Sequence, residues 1–575
     1  MKKILLLASL VIGIGLVVIS CGDDFLDKEP QGTLNPATLA NSDGVEALLV
    51  AAYSLIDGWE GGWSTAGGAP WNAAASNWTY GDVYSDDAYK GTEAGDQPAL
   101  ELLENYTIDA ANPYLIGRWA RLYDGVARAN DVIRVAELAT DIDDATRAII
   151  IGEARFLRGH YHFEAQRLWD NVPYISDTDI DVRVPNTGPI YPEIEADLAA
   201  AVAALPVEPR NGQIGRINRM AATAYLGKIQ LYQQNYSGAL ANFNTVINSG
   251  RYALHDNYGE NFRISGNNGV ETILQIQASV NDGSGAGNGN HGDQLNGLQG
   301  GPRGGCCGFH QPTQNLVNVF QTENGLPIAN FNAVDVTNDD GITADAPFTP
   351  HTGPLDPRLD HTVGRRGIPY LDWGVHPGAA WVRNQAYAGP YSGIKKTYRA
   401  AELGTGSDTQ AAWHGAGNTS LNHNLLRYAD VLLMAAEAEV EVGSLENARA
   451  LVNMVRSRAA NASGFVQAEG GGPAANYVIS TYDDAWTNQG VARDAVRTER
   501  RLELAMEGHR FFDLKRWGVA QSVLNDYLAE EATKRSYLGG ASFQARNIRF
   551  PIPQEAIDES SDDLGAPTLS QNEGF

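Results

Sequence analysis

Apolar residues recur at helical spacing in several long stretches of this 575-residue chain. Over residues 41–57 (NSDGVEALLVAAYSLID) they predict a first helix, with Ser42 or Asp43 as its N-cap. Longer helical patterns cover residues 115–139 and 144–170. In the second, Leu157, Tyr161, Ala165 and Leu168 fall at i, i+4, i+8 and i+11, one buried stripe. Further helical segments are predicted over 218–250 and 424–460, and a last helical block over 492–524. Strand-like runs are short and few: one over 272–280 and an exit strand over 547–553.

Two of the helical segments share an internal spacing. Leu226-Gly227, Ala239 and Phe243 sit at offsets 0, 1, 13 and 17, and Ala435-Ala436, Ala448 and Val452 repeat it. These are the offsets of tetratricopeptide helix pairs, in which small residues let two helices approach while larger ones fill the groove. Insertions separate the units, so they form no tandem array. Residues 251–420 between them are irregular, with eleven glycines between 283 and 308. A connection of that length is functional when ordered, and its aromatics mark it, with residues 59–113, as an expected ligand-site segment. The reading is a mainly α chain: a helical scaffold over 115–250 and 421–524 within one domain spanning 41–575.

The N-terminus carries a separate signal. Lys2 and Lys3 precede an apolar run from Ile4 to Ile19 interrupted only by Ser9, the charged and apolar regions of a secretory leader over residues 1–20. The run ends Val18-Ile19-Ser20-Cys21, which resembles a bacterial lipobox, with Cys21 as the lipidated first residue of the mature chain and residues 21–40 as its tether. Asp23, Asp24 and Asp27 follow, resembling the surface-export signal of Bacteroidota lipoproteins. Acyl chains supply about 0.8 kcal/mol per buried CH₂, so two or three anchor a protein stably. The other cysteines, Cys306 and Cys307, are adjacent; they are either free thiols or a strained eight-membered ring.

Charge narrows the partners. The formal net charge is −27 with a pI near 4.7, which repels phosphate backbones and excludes nucleic acid as a partner. No GxxxxGK[ST], HExxH or GxSxG occurs, so no cofactor, metal or hydrolase signal is present. Gly287, Gly289 and Gly292 spell GxGxxG without a following helix, and DVTNDDG at 335–341 has its glycine one place late for an EF-hand loop and reads as an exposed acidic turn. Glu499, Arg500, Arg501, Glu503, Glu507, His509, Arg510, Asp513 and Arg516 crowd residues 497–517, where structural ion pairing is the expected role.

Several blocks then carry a resemblance. CGDDFLD at Cys21, EARFLR at Glu153 to Arg158 followed by WDNVP, NLLRYADVLLMAAEA from Asn424, RTERRLELAMEGHRFFDLKRWG from Arg497, PIP at Pro551 and the terminal LSQNEGF resemble the SusD/RagB family of outer-membrane nutrient-binding lipoproteins, in family order across nearly the whole chain. The ending Glu573-Gly574-Phe575 departs from the family's more frequent Pro-Gly-Tyr. The resemblance implies a non-catalytic cell-surface lipoprotein that binds oligosaccharides and delivers them to a SusC-like TonB-dependent transporter, built on four tetratricopeptide-like helix pairs. Peptide ligands, or a surface glycan-degrading enzyme, are the alternatives.

Candidate ligand contacts follow from the aromatics. Trp59, Trp63, Trp71 and Trp78 place four of the eleven Trp within residues 59–78, in a stretch too glycine-rich for a helix core. Sugar C–H faces lie on such rings, and Trp freezes few rotamers on binding. Trp71 is the first choice. Trp78 and Tyr80 belong to a block (NWTYGDVYSDDAYKG) that leans structural. A second group, Trp373, Trp381, Arg383 and Tyr391, lies in the window 358–399. There Arg358, Arg365, Arg366, Arg383, Lys395, Lys396 and Arg399 face only Asp360 and Asp372 in sequence. These cations either read an acidic glycan or pair with acidic residues elsewhere.

Overall fold

The computed structural model describes residues 36–59, 69–285, 287–409 and 415–575; the expected leader, the expected lipidation site Cys21 and Trp63 lie outside the described residues. Helix α1 (Ser42–Ser54) is capped by Asn41, not by Ser42 or Asp43: Asn41 is extended and its Oδ1 accepts from Gly44 N, while the Ser42 N–H donates to the Asp141 carboxylate. Helices α2 (Pro113–Leu138) and α3 (Asp144–Trp169) follow the sequence pattern, capped by Asn112 and Asp143. Leu157, Tyr161, Ala165 and Leu168 are all buried, as their stripe requires.

Helix α4 (Tyr191–Ala204), which the periodicity missed, wedges between α3 and α5 (Arg219–Tyr232). It buries only Ile194, Asp197, Leu198 and Ala201, and its alanine-rich outer face gives little contrast with the buried one. Asp197 fixes it by taking both arms of Arg158 from α3, at 2.8 and 2.6 Å. Helix α6 (Tyr236–Asn248) packs on α5 so closely that a Cβ at Gly227 would lie 2.7 Å from the Phe243 ring. Helices α7 (Tyr428–Val442) and α8 (Leu445–Ala459) repeat the arrangement with Ala435, Ala436, Ala448 and Val452 fully buried between them. Helix α6 packs on α7, which joins the pairs into one scaffold.

The last helical block is three helices, α9 (Gln489–Leu504), α10 (Arg510–Arg516) and α11 (Ala520–Glu531). It breaks where Met506 and Gly508 adopt positive φ and Gly508 N donates to the Asp82 carboxylate. The expected strand over 547–553 is a 3₁₀ turn (Ala545–Ile548) and then extended chain. Its alternating apolar residues, Phe550 and Ile552, enter the core, and Phe550 N bonds to Leu168 O without forming a ladder. Strands are short: β1 (Ala88–Gly91) pairs antiparallel with β3 (Phe309–Pro312), and β2 (Thr272–Ile276) with β4 (His423–Arg427). One apolar core runs from Val45 to Leu569. Among the described residues no helix is long and apolar enough to cross a membrane.

A buried lattice of ions joins the scaffold to the irregular segments. Glu499, Glu503 and Glu507, on and just after α9, face Arg358 and Lys395 from the insertion, Arg427 from β4 and Arg456 and Arg458 from α8. Glu271 ahead of β2 bridges Arg427 and Arg458, and Asp356 pairs with Arg358. The named carboxylates and cations balance, five against five, and all are nearly inaccessible. Burial alone pushes Glu503 up, but Arg458, Arg427 and Arg358 hold it well below the usual carboxylate range. A neighbouring set, Asp86 and Asp87 with Arg501 and Arg510, ties the chain before β1 to α9 and α10.

Removing one member leaves its partners buried and unpaired. Glu503→Gln is expected to cost about 3 kcal/mol or more in urea unfolding, and Glu503→Gln with Arg458→Met less than the sum of the two single changes. Equal and additive losses would contradict a coupled lattice. A second expectation concerns acid. His162 on α3 accepts a hydrogen bond from Ile175 N, and burial, aided by Arg158, pushes its pKa down to about 3 from 6.5. The neutral ring therefore supports the fold above pH 6.5, and that support is lost as pH falls toward 3. The stability gap between the natural protein and His162→Gln should shrink by about 1.4 kcal/mol per pH unit below 6.5. A gap constant down to pH 4 would refute it.

Candidate functional site

The turn after β1 builds one side of an exposed face. Lys90 is fully buried, and its Nζ donates back to the carbonyls of Glu93 and Asp96, at 3.1 and 2.8 Å, folding residues 92–96 into a tight lobe. Thr92 N donates to Gly308 O across the strand pair. The lobe presents Glu93 and Asp96 to Arg383, whose guanidinium bonds them at 2.5 and 2.7 Å and the Thr92 hydroxyl at 3.1 Å. The three charged side chains keep 32–42% (Arg383, Glu93) and 30% (Asp96) of their surface exposed. The result is an accessible fork of donors flanked by acceptors.

A glycine-rich shelf supports the other side. Trp381 lies so near Gly301 that a Cβ there would sit 2.9 Å from the indole Cγ, so only glycine seats the ring. Tyr370 and His376 meet the indole edge-on at 5.6 and 5.1 Å. Arg303, buried beneath the shelf, donates to the carbonyls of Asp293 and Gly417 and ties three loops together. Cys306 and Cys307 are joined to each other as a disulfide, closing the ring form of the two sequence alternatives, and Cys307 N and Gly308 N both donate to Gly297 O.

The sequence-predicted residues divide by place. Trp381 and Arg383 lie two residues apart, the first half-buried on the shelf and the second exposed at the lobe, and half-buried Trp373 packs into the same small cluster around Tyr370 as Trp381 while its Nε1 donates to Tyr398 O. Trp59 stacks on His291 at 4.9 Å and lines a separate cleft. Trp71 is 9% exposed in a 3₁₀ turn of the main core. Trp78 and Tyr80 are fully enclosed: Trp78 Nε1 donates to Gly292 O, and the Tyr80 hydroxyl meets the carbonyls of Asn72 and Tyr114. Tyr391 is buried with its hydroxyl on Gln314 Oε1. Trp71, Trp78 and Tyr80 are enclosed because residues 70–83 are sandwiched between α2 and the 289–293 loop, and Tyr391 because its ring enters the core with its hydroxyl on Gln314. Glu93, Asp96 and the disulfide shelf had no sequence signal beyond a charged turn and two adjacent cysteines.

The cation-rich window is neutralised within the protein. Arg358 and Lys395 belong to the buried lattice, Arg365 pairs with Asp360, Arg366 faces Asp339, Lys396 faces Asp293 and Arg399 faces Glu260. Asp339 itself is buried rather than an exposed member of an acidic turn. Of the seven cations only Arg383 and Arg399 keep more than an eighth of the side chain exposed, at 32% and 47%. Among the described residues no cluster of three or more His, Cys, Asp or Glu has the arrangement to hold a metal ion. Glu104, pushed up to about 7 by burial, is closed off under the Tyr537 hydroxyl.

Comparison with known proteins matches this architecture. The family model described as the SusD family covers residues 270–575, and one described as starch-binding, associating with outer membrane, covers residues 24–231. A SusD-like protein of Formosa agariphila is 23% identical over 94% of each chain. Among solved structures, a laminarin-binding SusD-like protein superposes with a TM-score of 0.65 at 24% identity, over 93% of this chain and 100% of that one. Surface glycan-binding protein A of Bacteroides thetaiotaomicron, in complex with laminarihexaose, superposes with a TM-score of 0.67 at 22% identity, over 92% and 99%. With the SusD model spanning more than half of its length and the helical scaffold shared end to end with these structures, the chain belongs to the SusD family.

Proposed function

We propose that this protein is a glycan-capture lipoprotein of the outer cell surface, holding a neutral oligosaccharide on the Trp381–Arg383 face and passing it to a SusC-like TonB-dependent transporter. The observation that carries the reading is the pairing of a half-buried indole with an exposed Arg383 fork between Glu93 and Asp96. An indole takes the C–H face of a pyranose, while a guanidinium donates to, and the carboxylates beside it accept from, vicinal hydroxyls. Relatives described as laminarin-binding and glycan-binding support the same ligand class. Neutral ligands are favoured because the surrounding cations are already matched by carboxylates. Glu93 and Asp96 are held by one arginine, an arrangement suited to recognition without turnover. Lipidation at Cys21 supplies the anchor.

A glycan array with the mature protein identifies the ligand, and calorimetry measures it. Trp381→Ala and Arg383→Ala should each weaken binding about tenfold or more without unfolding the protein. Affinity should change little as the screening length shortens from about 30 Å at 0.01 M to about 8 Å at 0.15 M salt. Unchanged affinity in both variants, or steep salt dependence, would contradict this face or this ligand class, and cleavage of the bound sugar would contradict a binding role. Separately, Cys21→Ala should fold normally and leave the membrane fraction; retention on membranes lacking the transporter would argue against the anchor.

A further inference from the structure

The cleft beside Trp59 shares no residue with the Trp381–Arg383 face. It encloses about 760 Å³ between the end of α1, the 213–216 turn and β2, within the ~300–1,000 Å³ typical of small-ligand sites. Its walls are two-sided in chemistry. Ile56 and Ile276 give an apolar patch beside the Trp59 indole, and Asp57, Gln213 and Gln277 give polar groups around it. The indole, 7% exposed, is held by its stack on His291, and the Asp57 carboxylate accepts from the Trp59 backbone N–H at 2.7 Å. Gln277 is exposed, and its amide is oriented by a reciprocal pair with Asn268, at 2.9 Å in both directions, by donation to Gln275 O at 3.2 Å and by acceptance from Asn422 Nδ2 at 3.1 Å.

Charge around the cleft excludes an ionic ligand. Arg128 is bidentate with Asp124, and Arg216 bonds Glu153 and Glu46, so both guanidiniums at the rim are committed. Burial pushes Asp57 up to about 7, disfavouring its charge as well. What remains is a hydrogen-bonding, partly apolar pocket with little net field, which suits a hydroxyl-rich ring with an apolar face. We propose that this cleft is a second binding site, taking a short neutral oligosaccharide through Trp59, Asp57 and Gln277. The proposal rests on the glycan-binding reading above, and it gives the protein, beside the Trp381–Arg383 face, a cleft for short oligomers or chain ends.

Fluorine NMR on fluorotryptophan-labelled protein tests it, with the Trp59 and Trp381 signals assigned through Trp59→Phe and Trp381→Phe. The probes are laminarihexaose, maltohexaose, xylohexaose and mannohexaose. The proposal expects the Trp59 signal to shift with at least one probe, saturating at a different concentration from Trp381. Gln277→Ala, with Asp57→Asn as a second variant, should weaken the Trp59 response about tenfold and leave the Trp381 response unchanged. A shift at Trp381 with none at Trp59 for any probe overturns the second site alone. No shift at either signal across the panel overturns the glycan reading and the second site together.

Discussion

Glu499, Glu503 and Glu507 are the points from which the rest of the molecule hangs. Spaced four apart, they form one row of charges in the interior, where each must be matched or neutralised. The matching cations come from α8, from β4 and from two distant positions in the irregular insertion, Arg358 and Lys395. Because an unpaired buried charge is far more costly than an unmade surface contact, the insertion has one register in which every ion is satisfied. The irregular segments are therefore fixed by electrostatics where secondary structure is scarce. Lys395 marks the cost of this arrangement: burial lowers it to about 8 even though Glu507 lies 2.7 Å away.

That anchoring explains how a glycine-rich layer can carry a binding face. Tyr391 to Lys396 leave the lattice and lead directly into the small cluster of Tyr370, Ile394 and Trp381. Arg303 and the linked cysteines brace the shelf on which the indole rests. Stiffness matters because a carbohydrate offers few strong contacts, and every loop ordered on binding subtracts from affinity. A face already ordered in the free protein loses less.

The scaffold was largely legible in the sequence because helix pairs are local: the Gly227–Phe243 and Ala436–Ala448 spacings encode contacts between neighbours in the chain. α4 escaped because alanine blurs the contrast between its two faces. The 547–553 segment was misread because a chain plugging into the core alternates as a strand does. The crowded charges of 497–517 were correctly read as structural pairs. The ligand surface was legible only in part. Trp373, Trp381 and Arg383 keep accessible surface and the buried Trp59 borders a cleft, whereas Trp71, Trp78, Tyr80 and Tyr391 are enclosed, because composition reports aromatic density but not which side of a loop faces water. Glu93 and Asp96 meet Arg383 across nearly three hundred residues, a proximity no local pattern records.

Native-state hydrogen exchange across a urea series tests the lattice most directly, by asking which segments open together. The account predicts that the amides of α9, of β2 and β4, and of the segment around Lys395 share one opening free energy and one urea dependence, since they are joined by the same buried ions. Exchange from β2, β4 and the Lys395 segment through a separate, lower-energy opening, with α9 still protected, would contradict it.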